Sequence, residues 1–234
     1  MHVKKYKLII LLLLVNVNLY LAQTTYDQII ATHYTEANAA ALDSLLDIIN
    51  NDDSLDSYSK DYYLGFINNF LGSFYLNRDE ELAESYLEQS IEHLDAALKI
   101  KPNDEIYALL ASSHGRMIKF VSIFSKMSRG NIAQEMLDRG AEIDSMSIYI
   151  RFETATSLMY RPAIFGGDTD EAKLILFTLL NDAPRHVSSG IDWVNEAAVY
   201  YKLIEIAKME DDAAALKKFT DILKNKFPEF NLVR

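Results

Sequence analysis

The 234-residue sequence predicts an all-α fold, and three observations predict it. Apolar residues recur at three- and four-residue steps over long stretches, which is the period of a helix with one buried face. Breakers are scarce: 8 Gly and 4 Pro in the whole chain. No stretch alternates with period two between Gly- or Asn-rich turns, so no strand is expected. With 50% apolar and 24% charged residues, the chain is globular in composition and long enough for one domain with a sizeable core.

The first residues stand apart. Lys4, Lys5 and Lys7 precede an apolar run from Leu8 to Val15, shorter than the roughly 20 residues of a membrane-spanning helix. Basic start, short apolar middle and the small Ala22 predict a signal peptide over residues 1–22. Tyr20 departs from the small residue that cleavage prefers, and an uncleaved anchor is the alternative. The expected mature chain is a single domain over residues 23–234, periplasmic or secreted, with no membrane insertion after cleavage. Cysteine is absent, so neither a disulfide nor a Cys-linked lipid can form, and the core alone must hold the fold. Loss of residues 1–22 removes three Lys and no acid, taking the net charge from −11 to −14. That field repels nucleic acid and anionic membranes, and neither is expected as a partner.

The elements follow in order. A first helix is expected from about Thr25 to Asn50, with Ile29, Ile30, Ala37, Ala41, Leu45 and Ile48 on its apolar side. The acidic Asn50–Ser54 stretch ends it. A calcium loop there would need Gly at its sixth and Glu at its twelfth position, where Ser57 and Tyr63 stand. A second helix covers about Asp56 to Leu76. A third covers Leu82 to Leu98, with Ala83, Leu87, Ser90, Leu94 and Ala97 on one face and Glu84, Glu88, Glu92 and Asp95 left for water. Pro102 cannot continue it, and Asn103 is placed to cap the next, with Asp104 and Glu105 at its positive end. That fourth helix is expected to run to about Lys126, with Met117, Phe120, Val121 and Phe124 apolar. Gly130 is expected to start a shorter one, and Ile148 to Tyr160 forms another. The last unit spans Ser189 to Phe227, closed by Pro228. Lys217, Lys218, Lys224 and Lys226 on its final helix suit the negative C-terminal end.

Between these lies the most unusual stretch, Arg161 to Ala172, containing Pro162, Phe165, Gly166, Gly167, Asp168 and Glu171. Two glycines before a helix suggest a phosphate loop, but Asp168, Asp170 and Glu171 would repel phosphate and no Gly-Lys-Ser/Thr follows. Asp168 and Glu171 have the spacing of a capping box. Phe165 is expected to anchor the loop on the core, and Gly166 and Gly167 to allow backbone angles barred to other residues.

Several of these residues fall at fixed offsets. Leu71, Gly72 and Tyr75 in one helix are followed by Ser90, Leu94, Ala97 and Pro102 in the next. Tyr107, Leu110, Ala111 and His114 repeat the first set, and Ala133, Leu137 and Ala141 the second, with Met146 at the proline position. Trp193, Glu196, Ala197 and Tyr200, then Ala215, Phe219 and Ile222, do so again. This pattern resembles the tetratricopeptide repeat. The resemblance implies an α-solenoid of antiparallel helix pairs, a right-handed superhelix that binds a protein or peptide in a concave groove. On that register the groove face holds Asn69, Ser73, Glu105, Ser112, Arg116, Tyr149, Phe152, Thr156, Tyr201 and Lys202. Residues 80–182, with Gly166-Gly167-Asp168 before an Ala-containing helix, also resemble the T component of certain tripartite (TRAP) solute transporters. That implies an alternative, a periplasmic solute-binding or transporter-associated subunit with a pocket near Tyr149, Phe152 and Tyr160. Members of that group are often lipoproteins, and the missing Cys is a departure.

Chemistry is not encoded in any recognisable constellation. His2, His33, His93, His114 and His186 are scattered, with no His-Glu-x-x-His. His33 and Glu36 can share a helix face, but two ligands do not make a catalytic metal site. No Gly-x-Ser-x-Gly occurs. The expectation is a non-catalytic protein without metal or cofactor. Most of the 14 Tyr and 11 Phe are expected in the core and the rest along the groove.

Overall fold

The computed structural model describes residues 26–181 and 191–230; the expected leader over residues 1–22 lies outside them. Among the described residues every regular element is helical. The helices are α1 (26–35), α2 (Ala39–Asn50), α3 (Ser57–Tyr75), α4 (Glu80–Ile100), α5 (Asp104–Met117), α6 (Ile123–Ile143), α7 (Ile148–Tyr160), α8 (Thr169–Asn181), α9 (Glu196–Met209) and α10 (Ala213–Lys226). A single 3₁₀ turn, Ala163–Phe165, separates α7 from α8. None of these helices is long and apolar enough to cross a membrane.

The starts of the helices follow from local chemistry. Asp56, Asp79, Asn103, Ser147, Asn195 and Asp212 each accept, through a side-chain oxygen, the backbone N–H three residues on. Each satisfies an N–H that the helix itself leaves free. The Pro102 stop lies between α4 and α5 as expected.

Packing then selects partners. α3 lies on α4, where Gly65 faces Leu94 and Gly72 faces Leu87. The contacts run in opposite order along the two helices. A Cβ on either glycine would come within 2.6 Å of the leucine Cγ, so hydrogen at these positions is what allows the approach. Ala83, Leu87, Leu94 and Ala97 on the facing side of α4 are fully buried. α5 lies on α6, α7 on α8 and α9 on α10. Between these pairs α4 packs on α5, α8 on α9, and the first helices α3, α5, α7 and α9 touch in succession. One cluster of buried side chains runs from Ile30 to Phe230.

Four expectations are corrected. The first helix is two: Ala37 takes a φ of 52°, and Asn38 caps α2 through the N–H of Ala41. The break rotates the buried face, so Ile49 is fully buried and Ile48 is 57% exposed. The fourth helix stops at Met117, where three-residue turns from Ile118, Lys119 and Phe120 tighten its end. α6 begins at Ile123 rather than near Gly130, and its first apolar residues, Ile123, Phe124 and Met127, are exposed. Trp193 precedes α9 instead of lying within it. Ile191, Trp193 and Val194 are nonetheless buried. The Ile191 N–H donates to Tyr62 Oη of α3 at 3.3 Å, and the Tyr34 hydroxyl of α1 donates to the Trp193 carbonyl at 3.4 Å. The segment before α9 therefore crosses over α1 and α3.

Candidate ligand-binding cavity

That crossing leaves a cavity of about 320 Å³. Four helices contribute most of the lining. α3 supplies Phe66, Asn69, Phe70, Ser73 and Phe74; α5 supplies Leu109 and Arg116; α7 supplies Phe152 and Glu153; α9 supplies Ala198, Tyr201 and Lys202. Tyr34, Glu36, Ala37, Arg78 and Trp193 complete the lining.

Trp193 is the structural centre of this cavity. Its ring stacks on Tyr149 with centroids 5.3 Å apart, and meets Phe152 and Phe66 edge-on at 5.9 and 6.4 Å. Its indole N–H donates to Glu105 Oε1 at 2.9 Å, and the Tyr62 hydroxyl donates to the same oxygen at 2.7 Å. Glu105 is 2% exposed. Burial pushes its carboxyl up to about 8, against the pull of the two donors, which favour the charged form. One buried acid thus joins α3, α5 and the segment that carries the tryptophan.

The polar wall is also built from buried bonds. Asn69 Nδ2 donates to the Leu109 carbonyl at 3.2 Å and to Ser113 Oγ at 2.8 Å. Ser113 lies 3.0 Å from Ser90, which donates to the Gly65 carbonyl at 2.9 Å. Satisfied networks of this kind hold a cavity wall in one arrangement.

Charged groups line the cavity as well. Arg116 donates to Ser112 Oγ. The neighbouring Glu153 is raised by burial, while Arg116, Lys202 and a hydrogen bond from Ser112 pull it down. Lys202 pairs with Glu205 at 2.8 Å and lies 5.4 Å from the Tyr160 ring centroid. The Arg78 guanidinium sits 4.2 Å over the Phe74 ring.

Of the ten residues expected on the groove face, six line this cavity: Asn69, Ser73, Arg116, Phe152, Tyr201 and Lys202. The other four are elsewhere. Glu105 and Tyr149 lie behind Trp193, Ser112 is buried behind Arg116, and Thr156 spends its hydroxyl on the Phe152 carbonyl at 3.0 Å. Sequence reasoning missed Tyr34, Arg78, Glu153 and Trp193. A carboxylate inside the apolar Ile148–Tyr160 run was the available signal for Glu153. Trp193 gave none, because its repeat register placed it in a helix.

The Gly-Gly-Asp loop lies apart from the cavity, and it also departs from expectation. Phe165 is 58% exposed and anchors nothing. Backbone bonds hold the loop: Gly167 N–H donates to the Pro162 carbonyl at 3.2 Å, and Asp168 N–H to the Leu158 carbonyl at 3.1 Å. Of the two glycines, Gly166 takes a positive φ, 86°, as expected, and Gly167 does not. Gly167 is required for space, since a Cβ there would sit 1.7 Å from the Arg161 carbonyl oxygen. Asp168 Oδ1 accepts from the N–H groups of Asp170 and Glu171 at 2.9 and 3.0 Å. Glu171 does not return the bond, because the Asp168 N–H is already used.

Among the described residues no three His, Asp or Glu gather as a metal site would require. His33 and Glu36 stand as an isolated pair, 3.6 Å apart. Compared with protein-family models, curated proteins and solved structures, the chain gave no match.

Proposed function

We propose that the protein is a non-catalytic, exported α-solenoid of the tetratricopeptide-like kind, stacking antiparallel helix pairs and binding a protein or peptide partner in its concave cavity. The observation that carries this is the convergence of α3, α5, α7 and α9, the first helices of four successive pairs, on one cavity. In a stacked array of helix pairs the first helices form the inner face. The lining offers rings, a buried amide, hydroxyl groups, three cationic heads and the carboxylates of Glu36 and Glu153. An apolar and aromatic lining with a few convergent polar groups suits ligand recognition.

A second reading, a periplasmic solute-binding or transporter-associated subunit, is favoured by the segment around Trp193. It closes the floor, and about 320 Å³ suits a small molecule or the last residue or two of a chain better than a long peptide.

Trp193 is the chain's single tryptophan and reports on both. Peptides selected from a display library, and solutes from a metabolite panel, should alter its emission. Ser73→Phe, which fills the cavity, should weaken their binding at least tenfold without loss of helix. Ligands that bind this variant as well as the wild type would place recognition elsewhere. Export is tested independently by the mature N-terminus, expected within a few residues of Gln23.

A further inference from the structure

The chain holds 23 Lys and Arg against 34 Asp and Glu, yet Arg78, Arg116 and Lys202 face one cavity. Lys202 is committed to Glu205. Among the described residues, Arg78 and Arg116 have no carboxylate ion-pair partner. Arg116 is half-buried, and the carboxylate that it feels, Glu153, is beside it without a direct ion pair.

Its surroundings also fix it in place. Ser112 accepts one N–H of Arg116 and bonds to Glu153. A guanidinium has five N–H donors in a planar fork that matches a carboxylate, so Arg116 keeps donors for a ligand. Phe152 and Trp193 face the same space, which gives an apolar body somewhere to lie. Glu153 beside Arg116 and Glu36 in the lining would repel a second negative charge.

We infer that the cavity takes a monocarboxylate with an aromatic or aliphatic body, its carboxylate on Arg116 and its body against Trp193 and Phe152. This rests on reading the cavity as the binding site. A small organic acid and the free C-terminal residue of a peptide share this chemistry.

The test titrates the protein with four probes: 4-phenylbutyrate, its neutral amide, and the tripeptide acetyl-Ala-Ala-Phe with a free or an amidated end. Trp193 emission and calorimetry read the binding. At least one carboxylate should bind about tenfold or more tightly than its amide, since a charge-assisted bond is being removed. Which pair discriminates identifies the source, and either supports the inference. Arg116→Gln should abolish the preference with unchanged far-UV dichroism. Arg116→Lys, which keeps the charge, should retain part of it and guards against a folding defect. Amides binding as well as acids, or a preference that survives in folded Arg116→Gln, would overturn the inference and leave the cavity reading intact. Silence from all four probes would overturn it as well. The cavity reading fails by a separate result, when selected ligands ignore Ser73→Phe.

Discussion

At the scale of single residues, the buried acid and the loop glycines make the sharpest predictions. The Glu105 carboxyl, raised to about 8 by burial, is held protonated by the fold, whereas in the unfolded chain it ionises near its ordinary value. Its contribution is therefore complete below about pH 4.5 and is lost as pH rises towards 8. The slope should approach one proton, roughly 1.4 kcal/mol per pH unit at most. Glu105→Gln keeps an acceptor for Tyr62 and Trp193 and has no charge to lose, so urea unfolding should show a flatter pH dependence between about pH 5 and 8. Identical slopes in both proteins would mean that Glu105 ionises freely. In the loop, Asp168→Ala removes a cap and should cost about 0.5–2 kcal/mol. Gly167→Ala should cost more, because its Cβ meets the Arg161 carbonyl backbone. Gly166→Ala should fall at about 1–2 kcal/mol, the strain of left-handed backbone. Thermal melts of the three variants check the order.

At the scale of the helix, glycine has opposite meanings at two positions. Gly72 in α3 lies where a Cβ would be 2.6 Å from Leu87 Cγ, whereas Gly115 in α5 has nothing within 4 Å. Overpacking typically costs about 1–3 kcal/mol, and a helical Gly→Ala gains up to about 1 kcal/mol when space is free. Gly72→Ala should therefore destabilise and Gly115→Ala stabilise, as denaturant midpoints will report. A gain at both positions would mean that the α3–α4 spacing relaxes without cost. The same logic explains the helix boundaries. Asn103 uses a short-range bond that a local reading finds, whereas Asp79 caps a helix that was expected to begin only at Leu82. The break at Ala37 is different: both flanking segments must bury a face, and neither strong breaker marks the site.

At the scale of the whole molecule, the segment around Trp193 ties distant parts together. It reaches Tyr34 of α1, Tyr62 of α3, Glu105 of α5 and Tyr149 of α7. An array whose units touch only their neighbours can unfold piecemeal. Here the cross-links predict one transition, so Trp193 emission and far-UV dichroism should give coincident urea midpoints. Clearly separated midpoints would show that the ties are weak.

The sequence by itself determined the helical class, the position of most helices and the caps at Asn103 and Asp168, because periodicity and capping act over a few residues. It also placed Asn69, Ser73, Arg116, Phe152, Tyr201 and Lys202 on first-helix faces, since a face is a matter of spacing. The tertiary structure alone decided which of those faces meet, and that Glu105, Ser112 and Tyr149 lie behind the wall instead of on it. It also brought Trp193 across the chain to close the floor, and exposed Ile123, Phe124 and Phe165. Burial depends on what covers a residue, and no local pattern in these residues encodes a cover contributed from more than 80 positions away.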